Sequence, residues 1–498
     1  MTEIDQIKVA FVNGPFLPMF SRESRSPAVT KSGTLYYPAW LAYACGYAEK
    51  NGHSATLIDC VADRLDYQSS IARVLEANPD LVVLGTSTPS IAADIEFAKS
   101  LKEKMPNMMV GLVGTHASAT ADQIITDNSH IDFVARREYD RTISEVISKI
   151  KSKEDWTVVK GLTFLKDGQV KNNPMMPYIH DLDEIPFASQ TYKKHLNIRN
   201  YYYGHVRYPM ISIFTSRGCD ARCSFCLYPQ TMFGNFRERS PLNIAQEFAW
   251  IRQNLPEVKE VLIDDDTFTM NAEHARRVSQ ELININNKIP WTCEARATLD
   301  LHTLKLMKKA GCRLIVTGFE SVSQVVLNKI NKNVKMPEVQ MFVDSASKAG
   351  LKIHACFMAG NPGDTLDTLE ETLNWALNQK AFDTAQFFPL QVYPGTKAYD
   401  WAVDANIIKK QDWSDWVTPS GQHNMTLETN DTGLTAMECL DFCDRARREF
   451  YLRPRYVLRQ VLRGLLSPQE FKKNFKGFIS LSKHLFKNVS KEVGHKNA

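Results

Sequence analysis

The chain of 498 residues is long enough for two or three domains with buried cores. A hydrophobic fraction of 44% and a charged fraction of 23% are typical of a globular protein, which argues against extensive disorder. The net charge of +4 is uneven: from Arg445 onward, 14 Lys and Arg against three Glu give +11, so residues 1–444 carry −7. The basic end therefore differs in kind from the rest of the chain.

The sequence predicts a cytoplasmic protein. No apolar run reaches the ~18–20 residues needed to cross a bilayer, and the N-terminus MTEIDQIKVAFVNG has no signal-peptide pattern. In a reducing compartment, ten cysteines are poor evidence for disulfides. Clustered cysteines therefore indicate a metal or redox site.

Residues 1–150 alternate short apolar runs with amphipathic helical windows. The strands are predicted at KVAFVNGP, SATLIDC, DLVVLGTST, MMVGLVGTH and IDFVARRE. Five such units predict a flavodoxin-like, doubly wound parallel sheet. Ligands of such sheets bind at the carboxyl ends of the strands. The polar residues expected at those ends are Asn13, Gly14, Thr86, Ser87, Thr88, Gly114, Thr115 and His116.

Residues 151–207 break this alternation and are predicted to be a linker region. GLTFLKDGQVKNN indicates a hairpin that turns at Asp167-Gly168. The stretch that follows is irregular and rich in aromatic residues.

Residues 208–400 hold a second alternating series. Six strands are predicted, from MISIFTSRGC to TAQFFPLQVYPGT, with helices starting at Ser240, Asn271, Leu301, Met336 and Thr365. This pattern predicts a partial α/β barrel, whose reacting groups lie at the C-terminal ends of its strands.

Residues 401–498 are predicted to be a helical, basic region. The segment SPQEFKKNFKGFISLSKHLFKN begins with Ser467 and Glu470 in a capping-box arrangement, and its apolar residues recur at helical spacing. Such a helix packs onto the barrel or docks on an anionic membrane surface. No nucleic-acid recognition motif accompanies it, so no nucleic-acid partner is predicted.

Three cysteines stand close together in TSRGCDARCSFCLYPQ: Cys219, Cys223 and Cys226. Structural zinc needs four ligands, commonly as two C-x-x-C pairs, and no second pair or H-x-x-x-H lies nearby. A cubane iron–sulfur cluster held by three thiolates leaves one iron open for a ligand. The missing fourth thiol therefore favours an iron–sulfur cluster.

The C-x-x-x-C-x-x-C spacing with aromatic Phe225 before its last cysteine resembles the hallmark of radical S-adenosylmethionine (SAM) enzymes. The first unit resembles the cobalamin-binding domain of one branch of that superfamily. Within the branch, motifs such as YYPAWLAYACG, DDDTFT, GFES, GNPGDT and FYLRPR most resemble the hopanoid-associated enzymes that form the bacteriohopanetetrol cyclitol ether. The anaerobic magnesium-protoporphyrin monomethyl ester cyclase is a more distant resemblance.

The resemblance implies that the three cysteines hold a 4Fe–4S cluster, whose open iron chelates SAM. Reduction would cleave SAM to methionine and a 5′-deoxyadenosyl radical. The residues expected at the bound cofactor are Phe225, Asp264, Asp265, Asp266, Arg296, Glu320 and Gly360. The choice among the three aspartates is open, and Arg296 faces the SAM carboxylate or pairs with Glu320. No catalytic residue is assigned.

The resemblance also implies cobalamin at the strand ends of the first unit. The D-x-H-x-x-G motif that supplies an axial histidine is absent, because IDCVADR has Asp59 without a histidine two residues on. We therefore expect bound cobalamin to lack a protein imidazole ligand. His116 is either a corrin contact or a satisfied structural histidine, and RREYD replaces a glycine-rich turn common in relatives.

These features predict a radical SAM enzyme that acts on a lipid-linked or polycyclic small molecule, with hopanoid headgroup ring contraction as the nearest precedent. The alternative within the same class is a C-methyltransferase of a secondary metabolite. Two other hypotheses are weaker: a tRNA methylthiotransferase lacks its additional cysteines and RNA-binding domain here, and a non-catalytic cobalamin module would leave the cysteine motif without use. A flavodoxin or ferredoxin is the expected electron donor.

Overall fold

A computed structural model describes residues 7–409 and 412–466, with the side chain of Leu466 excepted. The first five strands are parallel and form one sheet in the order β2-β1-β3-β4-β5, as the flavodoxin-like prediction requires. Their bounds are β1 Lys8–Asn13, β2 Ser54–Asp59, β3 Leu81–Thr86, β4 Met109–Gly114 and β5 Phe133–Ala135.

Helices cover both faces of this sheet, since crossover connections between parallel strands need them. Their bounds are α1 Ala39–Lys50, α2 Tyr67–Glu76, α3 Ile91–Lys104, α4 Thr115–Ala119, α5 Ala121–Asp127 and α6 Asp140–Lys151. The connection from β1 to α1 is long, and residues 14–38 are called the strap below. The strap crosses the carboxyl ends of the strands.

The predicted hairpin is present as β6 Leu162–Lys166 and β7 Gln169–Asn172, with positive φ at both Asp167 and Gly168. It does not belong to a separate linker. β6 pairs antiparallel with β5, so the first sheet extends to Asn172, beyond the predicted boundary at residue 150. The remaining connector contains α7 Ala188–His195, which packs against α1.

The second sheet has six parallel strands in the order β15-β14-β13-β12-β11-β8, which confirms the partial barrel. A short antiparallel pair, β9 Ser216–Arg217 with β10 Arg237–Glu238, brackets the cysteine loop. The barrel strands are β8 Met210–Ile213, β11 Glu260–Ile263, β12 Trp291–Glu294, β13 Cys312–Glu320, β14 Lys352–Ala359 and β15 Phe382–Pro389.

The five predicted barrel helices begin at or one residue after the predicted positions, because Ser240, Asn271 and Thr365 act as N-caps. Their bounds are α8 Pro241–Asn254, α9 Ala272–Asn284, α10 Leu301–Lys309, α12 Met336–Lys348 and α13 Leu366–Asn378. The structure adds α11 Gln324–Lys329, which was not predicted.

The C-terminal region contributes α14 Lys397–Asp404, α15 Ala436–Tyr451 and α16 Pro454–Leu466. α15 packs against the edge strand β15, where the Tyr451 hydroxyl donates to the carbonyl of Ala385 at 2.8 Å. The predicted amphipathic segment after Ser467 lies outside the described residues. Among the helices that the structure describes, none has the length and apolarity to cross a membrane.

Candidate functional site

The cysteine loop follows the first barrel strand. It starts at Gly218, whose φ of 80° favours glycine. A Cβ at this position would clash with the carbonyl oxygens of Gly234 and Asn235. The side-chain amide of Gln230 donates to the carbonyls of Cys223 at 3.3 Å and Cys226 at 2.7 Å. These contacts fix the path of the loop over the strand ends.

Cys219, Cys223 and Cys226 line one cavity. Burial, with Asp266 as a further cause, raises the pKa of the Cys219 and Cys226 thiols. The three sulfurs do not all lie within 4.8 Å of one another, which is the spacing that ligands of a single ion would need. Three thiols around one cavity, too far apart for one ion, fit a multi-iron cluster.

The three aspartates of the acidic run have different surroundings. Asp264 accepts hydrogen bonds from Tyr203 at 3.1 Å and Ser212 at 3.3 Å, away from the cavity. Asp265 accepts from the backbone N–H of Thr215 at 2.6 Å and so holds the approach to the cysteine loop. Asp266 lines the cavity, and burial raises its pKa. Of the three, Asp266 is therefore the one that could contact a bound molecule.

Glu320 lies at the end of β13 in a strained conformation. Its φ is 65° and the pairing register with β14 shifts there. Its carboxylate folds over Gly318, where a Cβ would clash with it. Lys332 donates to this carboxylate at 2.8 Å. Strained non-glycine residues concentrate at functional sites.

Arg296 lines the cavity but does not pair with Glu320, which was one of its two predicted roles. Its guanidinium donates to the backbone carbonyls of Lys332 at 2.5 Å and Asn333 at 3.3 Å. Phe225 also lines the cavity, with the Lys332 ammonium 6.0 Å from the centre of its ring.

Gly360 is outside the cavity lining. Its φ is 92°, and a Cβ there would meet Met425 and Cys439. The carboxylate of Asp364 accepts from the backbone N–H of Gly360 at 3.1 Å and of Asn361 at 2.9 Å. The GNPGDT turn thus serves as a connection between β14 and α13.

Sequence reasoning missed three charged residues of the site: Arg25, Glu294 and Lys332. Arg25, on the strap, donates to the carboxylate of Asp264 at 3.0 Å and stands 3.8 Å from Asp266. It lies 3.9 Å from Glu294, whose pKa is raised by burial against the lowering effect of Arg25. Glu294 is the last residue of strand β12, and a carboxylate at a barrel strand end is a signal that the sequence already offered. Arg25 had no such signal, because its partner Asp264 is 239 residues away in the chain.

The cavity has a volume of about 820 Å³. This volume is within the usual range for a small-molecule site. The end near the cysteines is lined by carboxylates and cations in close alternation: Arg25, Asp266, Glu294, Arg296, Glu320 and Lys332. A molecule with both an ammonium and a carboxylate group would meet complementary charges there.

The strand ends of the first sheet are closed, unlike the barrel. The strap places Arg22 against Asp94 at 2.8 Å, with both side chains almost fully buried, and against the Asn13 side chain at 3.0 Å. Only about 10 Å³ of space remains between the strap, Thr86, Gly114 and Thr115. In this conformation the strand ends do not fit a corrin.

The other predicted corrin contacts are satisfied by the protein. Ser87 and Ser90 bond to each other at 2.9 Å, and His116 bonds to Thr88 at 3.1 Å. The His116 ring packs on Trp413 at 5.2 Å, and burial lowers its pKa to about 3. Gly14 is the first residue of the strap, and a Cβ there would meet the Leu84 and Phe97 side chains. In this conformation His116 has the structural role that the sequence left open.

Comparison with known families identifies both units. The Radical SAM superfamily model matches residues 213–376, and the B12 binding domain model matches residues 25–147. The chain carries a radical SAM domain and a B12 binding domain. The chain is therefore an enzyme, and the predicted cofactor set of a 4Fe–4S cluster, SAM and cobalamin is supported.

Similar proteins agree with this assignment. An uncharacterized methyltransferase of Pyrococcus horikoshii is 28% identical over 87% of this chain and 94% of its own length. The anaerobic magnesium-protoporphyrin IX monomethyl ester cyclase of Cereibacter sphaeroides is 27% identical over 84% of this chain and 67% of its own. The hopanoid C-3 methylase of Methylococcus capsulatus is 22% identical over 76% of this chain and 70% of its own length.

Among solved structures, the cobalamin-dependent SAM radical enzyme OxsB superposes with a TM-score of 0.69. That match covers 95% of this chain and 72% of OxsB at 16% identity, so it shows the shared fold.

Proposed function

We propose that the cavity binds SAM against a 4Fe–4S cluster held by Cys219, Cys223 and Cys226, and uses it for radical chemistry on a small molecule. When bound, the cluster and SAM supply a 5′-deoxyadenosyl radical. The observation that carries the proposal is that three thiols and several charged side chains line the same cavity, at the strand ends of a partial barrel.

The residues of the cavity would orient SAM by charge. Asp266 and Glu294 can accept hydrogen bonds from its ammonium group, while Arg296 and Lys332 can donate to its carboxylate. Glu320 holds the Lys332 ammonium at 2.8 Å and so fixes one donor in advance. Phe225 offers an aromatic surface for the adenine ring.

The substrate is proposed to be a lipid-linked or polycyclic small molecule. Relatives act on molecules of both kinds by name: a protoporphyrin ester and a hopanoid. Ring formation or contraction is one candidate reaction. C-methylation has at least equal support, because two of the three similar proteins above are named a methyltransferase or a methylase.

Product analysis separates the two reactions. The anaerobically reconstituted, reduced enzyme should convert SAM to 5′-deoxyadenosine and methionine, and a triple Cys219, Cys223 and Cys226→Ala variant should lose both iron and this activity. Methylation would also yield S-adenosylhomocysteine and consume two SAM per turnover. Metabolites of a deletion strain, with hopanoids examined first, would identify the substrate. Full SAM cleavage by the triple variant would exclude the proposed cluster site.

Contact with a membrane surface is a further part of the proposal. Residues from Arg445 onward carry a net charge of +11, and α16 exposes Leu458 and Leu462 by 60% and 51%. Basic, amphipathic segments bind anionic bilayers. At low salt, the protein should sediment together with phosphatidylglycerol vesicles and should stay in the supernatant with phosphatidylcholine vesicles. A cytoplasmic enzyme of this kind would receive electrons from a flavodoxin or ferredoxin.

A further inference from the structure

The cavity at the cysteines has a second end, at helix α16. There it is lined by Val457, Val461 and Leu465, which recur every four residues and so share one helix face. These side chains are 45%, 54% and 77% exposed, respectively. In the part of the chain that the structure describes, the cavity therefore reaches the surface along an apolar wall.

The opposite side of α16 fixes this wall in place. Arg459 donates to the carbonyls of Lys380 at 2.9 Å and Phe382 at 2.8 Å, and Arg463 pairs with Asp383. These contacts hold the helix along the edge strand β15. The apolar face is thus directed at the cavity by specific bonds on the other face.

Among the described residues, the wall between the two ends carries three charged side chains, against six at the cysteine end. His205 and His354 stack at 4.6 Å, and burial lowers the pKa of His354 to about 4. The three charged side chains form one cluster, in which Asp444 accepts from Lys31 at 2.9 Å and from Arg447 at 2.9 Å. Polarity therefore falls from the cysteine end to the α16 end.

We propose that the α16 end binds the alkyl or other apolar part of an amphipathic substrate, whose polar part lies at the cysteine end. This inference rests on the proposed function for the cysteine end and adds the place where the apolar part of the substrate binds. An apolar wall in contact with water is unfavourable by itself, and covering it with a hydrocarbon chain removes that cost. The gradient of charge along one cavity sets the orientation of the bound molecule.

Alkyl glucosides with 8 to 12 carbons, used below their micelle concentrations, probe this end directly. Titration calorimetry on the full chain should show affinity rising about fourfold per CH₂ group. Binding that does not depend on chain length would overturn the proposal.

Two pairs of variants on α16 locate the binding. Val461→Asp and Leu465→Asp should each weaken dodecyl glucoside at least about tenfold, because an unpaired charge would line the apolar wall. Leu458→Asp and Leu462→Asp are matched controls: they are exposed apolar residues of the same helix that lie outside the cavity lining. The controls should bind as the wild type does. Equal loss in both pairs would indicate adsorption on the outer helix surface and would refute the cavity site.

SAM cleavage without substrate, measured on the same samples, separates this inference from the proposed function. Leu462→Asp should cleave SAM at the wild-type rate, since residue 462 lies outside the cavity lining. Absence of cleavage in the wild type would count against the proposed function. Normal cleavage without chain-length dependence would count against the α16 site alone.

Discussion

Asp265 and Asp266 are neighbours in the chain, yet only Asp266 borders the cavity. Asp266→Asn should raise the SAM concentration needed for half-maximal cleavage by about tenfold, the effect of weakening one charge-assisted hydrogen bond. Its iron content should stay normal. Asp265→Asn should instead lower iron retention, because Asp265 holds Thr215 and Ser216 ahead of Cys219. The assignment is wrong if Asp266→Asn leaves SAM dependence unchanged.

The position of the Glu320 side chain requires a glycine at residue 318. A Cβ at residue 318 would occupy the place of the Glu320 carboxylate, so Gly318→Ala should displace it from Lys332. We expect about a tenfold loss of substrate-free SAM cleavage, similar to that of Glu320→Gln, which removes the charge and keeps the shape. Cleavage assays with iron content as the control test this pair. Activity retained in both variants would remove Glu320 from SAM binding.

The strap also stabilises the start of a helix. Glu23 accepts from the backbone N–H groups of Trp40 at 2.7 Å and Leu41 at 3.3 Å, which are free donors of the first turn of α1. Burial raises the pKa of Glu23 from 4.5 to about 8. Between these two values the folded state binds more protons than the unfolded state, so stability falls as pH rises through this window.

Glu23→Gln should flatten this dependence, because the amide oxygen can accept the same bonds and does not ionise. The fall in the thermal unfolding midpoint between pH 5 and pH 8 should be smaller in the variant by about 2–4 °C. Differential scanning fluorimetry across this range measures it. An identical pH dependence in both proteins would mean that Glu23 ionises normally in the fold.

The elements were predictable from sequence where local signals sufficed. Strand runs, N-caps such as Ser240 and the Asp167-Gly168 turn depend on residues within a few positions of each other. The strap was not predictable, since its irregular path is fixed by contacts such as Arg25 with Asp264, 239 residues away. The same limit hid Lys332, the partner of Glu320: the sequence offered Arg296 for that role, because spacing does not show which cation reaches a carboxylate.

At the scale of the whole molecule, the first domain meets the barrel through the strap. Arg22 of the strap pairs with Asp94 at the strand ends of the first sheet, whereas Arg25 of the strap pairs with Asp264 of the barrel. A movement of the strap that opened the first site would therefore also alter the charge at the second.

The axial ligand of cobalamin can be predicted from the same region. His116 bonds to Thr88 at 3.1 Å and is buried, and the sequence has no D-x-H-x-x-G histidine. Bound cob(II)alamin should therefore be base-off without a protein imidazole. Electron paramagnetic resonance of the reconstituted protein should lack nitrogen superhyperfine splitting. Such splitting in the wild type, lost in His116→Ala, would contradict this prediction.

Access of cobalamin to the first domain should depend on the Arg22–Asp94 pair, because this pair closes the strand ends to about 10 Å³. Replacing both partners by apolar residues of similar size, as in Arg22→Met with Asp94→Leu, leaves no unpaired buried charge and should preserve folding. After reconstitution with hydroxocobalamin and gel filtration, the double variant should retain about tenfold more cobalamin than the wild type, as expected if one buried ion pair must break. Absorbance spectra and circular dichroism would report cobalamin content and folding. If the wild type retains one cobalamin per chain as tightly as the double variant, the strap does not restrict the site.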